Sequence, residues 1–425
     1  MMLQKIKAGA LQFTMFIVVV IALLLTACII LIDTHKRFNI QTDFVLETIE
    51  NTNKGIDYVL QNKTPLSDSI TINLEDEDYK TVSVHRDYWG VFEKVIAIAT
   101  IKTNRFKKVA LIGALQPKIN RTSLYVEDKN KPLVLVGNTK IRGVAYLPKQ
   151  GVRTGNISGH SFYGNQLIYG VTRTSSKLPE LLDETRNQIK TIQNQIGTIN
   201  QNQFLDLNRS NSFKNSFLNP LQVIYSHTDV HLIGVSLKGH ILVQSKTKII
   251  VDANSNLKDI VLVAPEIEIK SNTKGTFQAI ATKGITIGKN CTLNYPSALI
   301  LNEDLKNKIP AENTNNQKQT PLVKVAKGST LKGFIVYLGE TKNYKAQVFI
   351  DDQALILGEI YCNRNLELLG TVYGSVFVSN FIANQSGSSY QNHIYNGTII
   401  VDDLAQEYIG LSFKNSKKGV MTWLY

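Results

Sequence analysis

The chain is poor in the residues that build covalent or metal-held scaffolds. Only 3 of its 425 residues are cysteine. That is too few for a disulfide framework, and no two cysteines have zinc-ligand spacing. Proline is scarce, 10 in all, as suits strands that must donate hydrogen bonds on both edges. Charged residues make up 19%, and acid is in shorter supply than base, leaving a formal net charge of +13. That balance admits an anionic polysaccharide or another cell-surface ligand. The densest basic clusters are Arg105-Phe106-Lys107-Lys108 and Lys414 to Lys418. Neither interleaves aromatics as nucleic-acid grooves do, so nucleic acid is disfavoured. No phosphate loop and no Ser-His-Asp arrangement is legible, and no cofactor is implied. Apolar residues reach 43%, which excludes a wholly disordered chain, and the length allows two or three domains.

The strongest local signal is at the N-terminus. Leu11 to Ile32 carries no charge, with Gln12, Thr14 and Thr26 as its polar members. About 20 such residues cross the ~30 Å hydrocarbon core as a helix. Residues 11–32 therefore read as a single membrane span and residues 1–10 as a cytoplasmic leader. Lys5 and Lys7 precede the span, and Lys36 and Arg37 follow it, offset by Asp33. The short leader favours a cytoplasmic N-terminus. The body is then extracytoplasmic; with the lipobox-like and prepilin-like motifs of this region, the membrane implied is a bacterial inner membrane and the body faces the periplasm or the cell surface. Residues 33–62 lack proline, and Val45, Ile49, Ile56 and Val59/Leu60 form a helical stripe, so a helical stalk is expected there.

Two processing motifs lie in this region. Leu25-Thr26-Ala27-Cys28 is similar to a bacterial lipobox, which would place a lipid on Cys28. Lys5-Ile6-Lys7-Ala8-Gly9-Ala10, followed by an uncharged helix, resembles a prepilin leader. Together with the stalk segment Asn51 to Leu60, residues 1–62 resemble minor pilins and type II secretion pseudopilins. The resemblance implies cleavage after Gly9, a mature N-terminus at Ala10, and stalks packed side by side with other pilin-like or secretion-system subunits. Most pilins carry Glu at the fifth mature position; this chain has Thr14 there, a departure shared with tip-type minor pilins and pseudopilins.

Beyond Pro65 the pattern becomes β. Residues 63–125 read as a β-rich connecting region, with Trp89-Gly90 in a turn and Trp89 as a core aromatic. Residues 126–425 show short aliphatic runs closed by Gly, Asn or Lys. Glycine-aliphatic steps sharpen at Gly333, Gly358, Gly370, Gly374 and Gly397. The expected fold class is mainly β: a transmembrane helix and stalk, then a right-handed parallel β-helix of aliphatic ladders with glycine corners. Pro179 is expected to open a helical insertion over 178–203, with Ile189, Ile192, Ile196 and Ile199 on one side. Residues 204–220 and 302–320 read as exposed loops, and Gln406 to Tyr425 as a cap.

Leu355 to Ile360 and Leu369 to Val376 also resemble the bactofilin family, which implies a cytoskeletal polymer of stacked β-helices. Asp351-Asp352 and Asp402-Asp403 are adjacent pairs whose members face opposite ways on a strand, so a catalytic pair would need different turns, such as Asp352 with Glu359. His227 and His231 would stand ~13 Å apart if extended, too far for one metal ion, and His240 completes the sequence cluster. No catalytic, cofactor or metal residue is assigned. The expected function is a non-enzymatic assembly or adhesion subunit; the alternatives are a surface-anchored body that binds or cleaves polysaccharide, and a tethered bactofilin-like polymer.

Overall fold

The computed structural model describes residues 8–72, 79–192, 199–303, 322–340 and 343–425. The described chain is mainly β, with a long apolar helix at its N-terminal end. It divides into two compact units. The first comprises Met1–Val59, Ser69–His85 and Ile96–Lys108; the second comprises Leu60–Asp68, Arg86–Val95 and Val109–Tyr425.

The first unit is built on helix α1, Ala8–Gln61. With no proline in the segment, nothing interrupts its hydrogen-bond ladder. Its last turns bury Thr48, Asn51, Thr52, Ile56 and Val59, a single face at helical spacing. The buried Thr48 and Thr52 hydroxyls donate to the carbonyls of Phe44 (2.5 Å) and Thr48 (2.8 Å), so neither is orphaned. Four strands follow, β1 Ser69–Ile72, β2 Lys80–Trp89, β3 Phe92–Ile101 and β4 Asn104–Leu115; of these the first unit holds Ser69–Ile72, Lys80–His85, Ile96–Ile101 and Asn104–Lys108, and the remainder belongs to the second. They order as β1-β2-β3-β4, and β1 runs antiparallel to β2, Ser69 opposite His85 through Ile72 opposite Val82. Within this unit Gly55 brings α1 close to the sheet. A Cβ there would lie 2.9 Å from Val82 Cγ1 and 3.1 Å from Val84 Cγ1.

The second unit is a parallel sheet that closes on itself around one aliphatic core. Successive turns of chain pair in register on three faces. On one face the inward positions run Ile224, Val243, Leu262, Ala279, Leu299, Ile335, Ile360 and Val376. The next partner is Leu124 of β5, Thr122–Val126, followed by Ala145 and Thr172. The other two faces make the same jump: Ile399 pairs with Ile141, and Ile394 with Leu135. The chain thus enters the stack near one end, winds outward to Thr174, crosses back, and rewinds from the far end until residues 371–400 meet residues 122–142. Ten steps at ~4.8 Å separate Ile224 from Thr172, about 48 Å. The crossing segment 175–203 is long enough to cover that distance.

This order revises several expectations. The coil begins at Thr122 rather than at residue 126, and its turns vary in length. Among the described residues of 178–203, helix α2 covers Asp183–Thr191, with Leu182 at its N-cap. Pro179 does not open it, because Leu181 is engaged in a bridge to Phe413 and Leu182 N–H donates to Ser412 O. Ile189 and Ile192 are buried against the body; Ile196 lies outside the described residues. Residues 204–220 are not all loop: Phe204 bridges Val223, and Ser212–Asn215 is a strand paired with Ser236–Gly239. Most of 302–320 lies outside the described residues.

Glycine sets one corner of the coil. Gly333, Gly358 and Gly374 occupy aligned positions on consecutive turns, with φ of 141°, 146° and 149°. A Cβ on each would strike the carbonyl oxygen of the turn before it: Ser297, Gly333 and Gly358 respectively. Gly358→Ala should therefore destabilise the body by about 3 kcal/mol or more. Gly284→Ala, where the nearest atom would be Leu322 O at 3.8 Å, should change stability by less than about 1 kcal/mol. Denaturant unfolding of the two variants followed by tryptophan fluorescence checks the contrast.

Candidate functional site

Two features can serve function: the bare half of α1, and a polar pocket in the body. The best 18-residue window of α1 has mean hydropathy 3.4 with none of it buried. Apolar side chains are exposed all round it, from Leu11 through Ile32. Its polar members are largely neutralised. Thr14 and Thr26 hydroxyls donate to the carbonyls of Leu11 (2.9 Å) and Ala22 (2.8 Å). That satisfaction within the helix is what a hydrocarbon environment demands. The run ends at Asp33, whose carboxylate accepts from Arg37 Nε at 2.8 Å, one turn on. Gly9 and Ala10 stand in the first turn of α1, and Cys28 is exposed in mid-helix, with the helix continuing through Ile29-Ile30-Leu31-Ile32. Lys5 and Lys7 lie outside the described residues.

The polar pocket sits in the second unit, where the sequence-distant turns meet. Its volume is about 460 Å³. Its lining includes Lys129 and Lys131, just after β5, together with Arg364, Asn365 and Asn380. The lining amides Asn343, Asn365 and Asn380 are tied to one another through Gln347 and their own side chains. Gln347 Nε2 donates to Asn343 Oδ1 (2.6 Å), the Asn365 backbone N–H donates to Gln347 Oε1 (3.0 Å), and Asn380 Nδ2 donates to Asn365 Oδ1 (3.0 Å). Partial burial, reinforced by the Arg364 charge, lowers the pKa of the Lys129 ammonium. No carboxylate is among the described residues that line this pocket, though Lys129 Nζ pairs with Glu127 Oε2 at 3.8 Å.

The residues singled out in the sequence are dispersed. Trp89 is buried in the core of the second unit, and its Nε1 donates to Asp259 O at 3.0 Å. The turn after it is pinned by buried Gln278, which donates to Trp89 O (2.8 Å) and accepts from Val91 N–H (2.8 Å). His240 packs on Trp89 and Phe217, where burial and then the Lys94 charge push its pKa down to about 4. His231 is exposed, and His227 packs on Tyr225. Among the described residues no group of three His, Cys, Asp or Glu side chains is placed to hold a metal ion. Asp352 pairs with Lys327 (3.0 Å) and Asp402 with Arg142 (2.9 Å) at the surface. Glu359 is fully buried elsewhere, so Asp352 and Glu359 do not meet.

Glu359 was unreadable as a structural acid from its sequence. It accepts from Gln116 Nε2 (2.7 Å) and Leu411 N–H (2.5 Å), tying the C-terminal segment to the coil. Tyr408 beside it donates to Gly333 O at 3.0 Å and covers the glycine corner. Burial pushes the Glu359 carboxyl from 4.5 up to about 7, against the hydrogen bond from Leu411 and the Arg121 charge. The folded state therefore holds this proton more tightly than the unfolded chain. The associated stability is present in full below pH 4.5 and is lost as pH rises to about 7, on the order of 3 kcal/mol. Chemical unfolding between pH 4.5 and 7.5 should show this decline in the wild type, and Glu359→Gln should lose that component of it.

No family model matches the chain, and no curated protein matches it. Among solved structures it is similar to the competence-associated pilin ComZ from Thermus thermophilus, at 11% identity over 85% of this chain and 88% of that one, with a TM-score of 0.21. A likeness that loose carries no argument here.

Proposed function

We propose that this protein is a non-enzymatic structural or adhesive subunit of a type IV pilus or type II secretion-like assembly. In this reading α1 holds it in a bacterial inner membrane and the body faces outward. One observation carries the reading: a single unbroken helix is bare and aliphatic over its first half and packed on an antiparallel sheet over its last turns. The bare half suits lipid before assembly and neighbouring helices after it. Cleavage after Gly9 frees Ala10 and leaves the whole apolar run at the mature N-terminus; lipidation of Cys28 would instead require a cut in mid-helix. The closed parallel sheet is read as a β-helix, right-handed as parallel crossovers nearly always are. It serves as a rigid projecting body.

Cysteines placed singly at Leu24, Leu25, Thr26 and Ala27 in a Cys28→Ser background sample one full turn of α1. Oxidative cross-linking in native membranes should give dimers or larger adducts at one or more of these positions. Monomer at every position contradicts the assembly reading.

A further inference from the structure

The pocket at the junction has the make-up of a ligand site rather than of a packing fault. A void left by imperfect packing in an aliphatic coil is apolar and stays dry. This one is walled by amides and cations. Its lining is rich in donors: the Lys129 and Lys131 ammonium groups and the Arg364 guanidinium stand with the amides of Gln391 and Asn392. An occupant that meets this lining offers an anionic acceptor together with hydroxyl groups.

Charge and shape narrow the class. Among the described residues three cations line the pocket, and the one carboxylate paired with them is Glu127, 3.8 Å from Lys129 Nζ; the positive balance that remains favours an anion. Tyr344 stands at the rim, 70% exposed, and offers a ring face to an apolar surface of the occupant. Sugars combine hydroxyls with such a face. The volume of about 460 Å³ lies in the range that encloses a small ligand. A nucleic-acid strand would instead call for an extended basic groove with successive aromatic platforms.

We propose that this pocket binds an acidic oligosaccharide, its anionic group held by Arg364, Lys129 and Lys131 and its hydroxyls by the Gln391 and Asn392 amides. The lysines come from the 122–174 stretch and the other residues from the rewound turns, so the ligand clamps the two together. It should then raise the unfolding midpoint by mass action.

The test uses the full chain in detergent micelles and calorimetry with four probes: an oligogalacturonate hexamer, a heparin-derived hexamer, cellohexaose and oligo-dT. At least one acidic saccharide should bind, weakening with added salt, while cellohexaose and oligo-dT do not. The two acidic arms tell carboxylate from sulfate. Arg364→Gln and the exposed Lys131→Gln should each weaken binding about tenfold or more with the ligand-free unfolding midpoint unchanged. The proposal is overturned if neither acidic probe binds at millimolar concentration, if cellohexaose or oligo-dT binds as tightly, or if both variants bind like the wild type. None of these outcomes depends on how the N-terminus is processed.

Discussion

From Leu11 to Ile32 the aliphatic side chains of α1 touch nothing else in the described chain. Burying one such side chain is worth about 1.5–3 kcal/mol. Exposing the whole run to water would therefore cost tens of kcal/mol, more than the roughly 5–15 kcal/mol that holds a typical domain together. That imbalance is the constraint on which everything else depends. The apolar half must be covered by lipid or by other helices, and its hydroxyls at Thr14 and Thr26 are already satisfied for that setting. The same helix then changes character without a break. Its last turns carry Thr48, Asn51, Thr52 and Gly55 on the packed face, small residues that allow a close approach to β2 and β3 within the first unit.

The body solves a different problem. A parallel coil has two open ends, each a row of unpaired strands. Here the end at residues 371–400 is covered by residues 122–142, which continue all three faces in register. The glycine corner lets consecutive turns approach at Gly333, Gly358 and Gly374, and Tyr408 with Glu359 fastens the C-terminal segment over it. Buried charge recurs where this unit is tied together. Arg86 donates to Glu93 at 2.7 Å and to Thr64 O at 2.8 Å, and Lys418 reaches the same Glu93 at 2.7 Å.

Much of this was legible in the sequence because it is local. The missing proline and the uniform apolar run mark α1, and the glycine-aliphatic steps mark the corner at 333, 358 and 374. What was hidden is what depends on contacts far apart in the chain. Val376 pairs with Leu124, a partner that no neighbouring residue signals. The turns vary in length, so no fixed period betrays that the coil begins at Thr122. Glu359 sits in a glycine-aliphatic step whose pattern says nothing of its burial. Nothing in the sequence singles out the pocket amides Asn365 and Asn380, which join Lys129 and Lys131 only where turns distant in sequence meet.

The central claim is that α1 enters an assembly as a processed, pilin-like helix. Intact mass and N-terminal peptide mass of the protein extracted from its native membranes test it most directly. The account predicts a chain that starts at Ala10. A chain that still starts at Met1, or one that starts at a lipid-bearing Cys28, would contradict it.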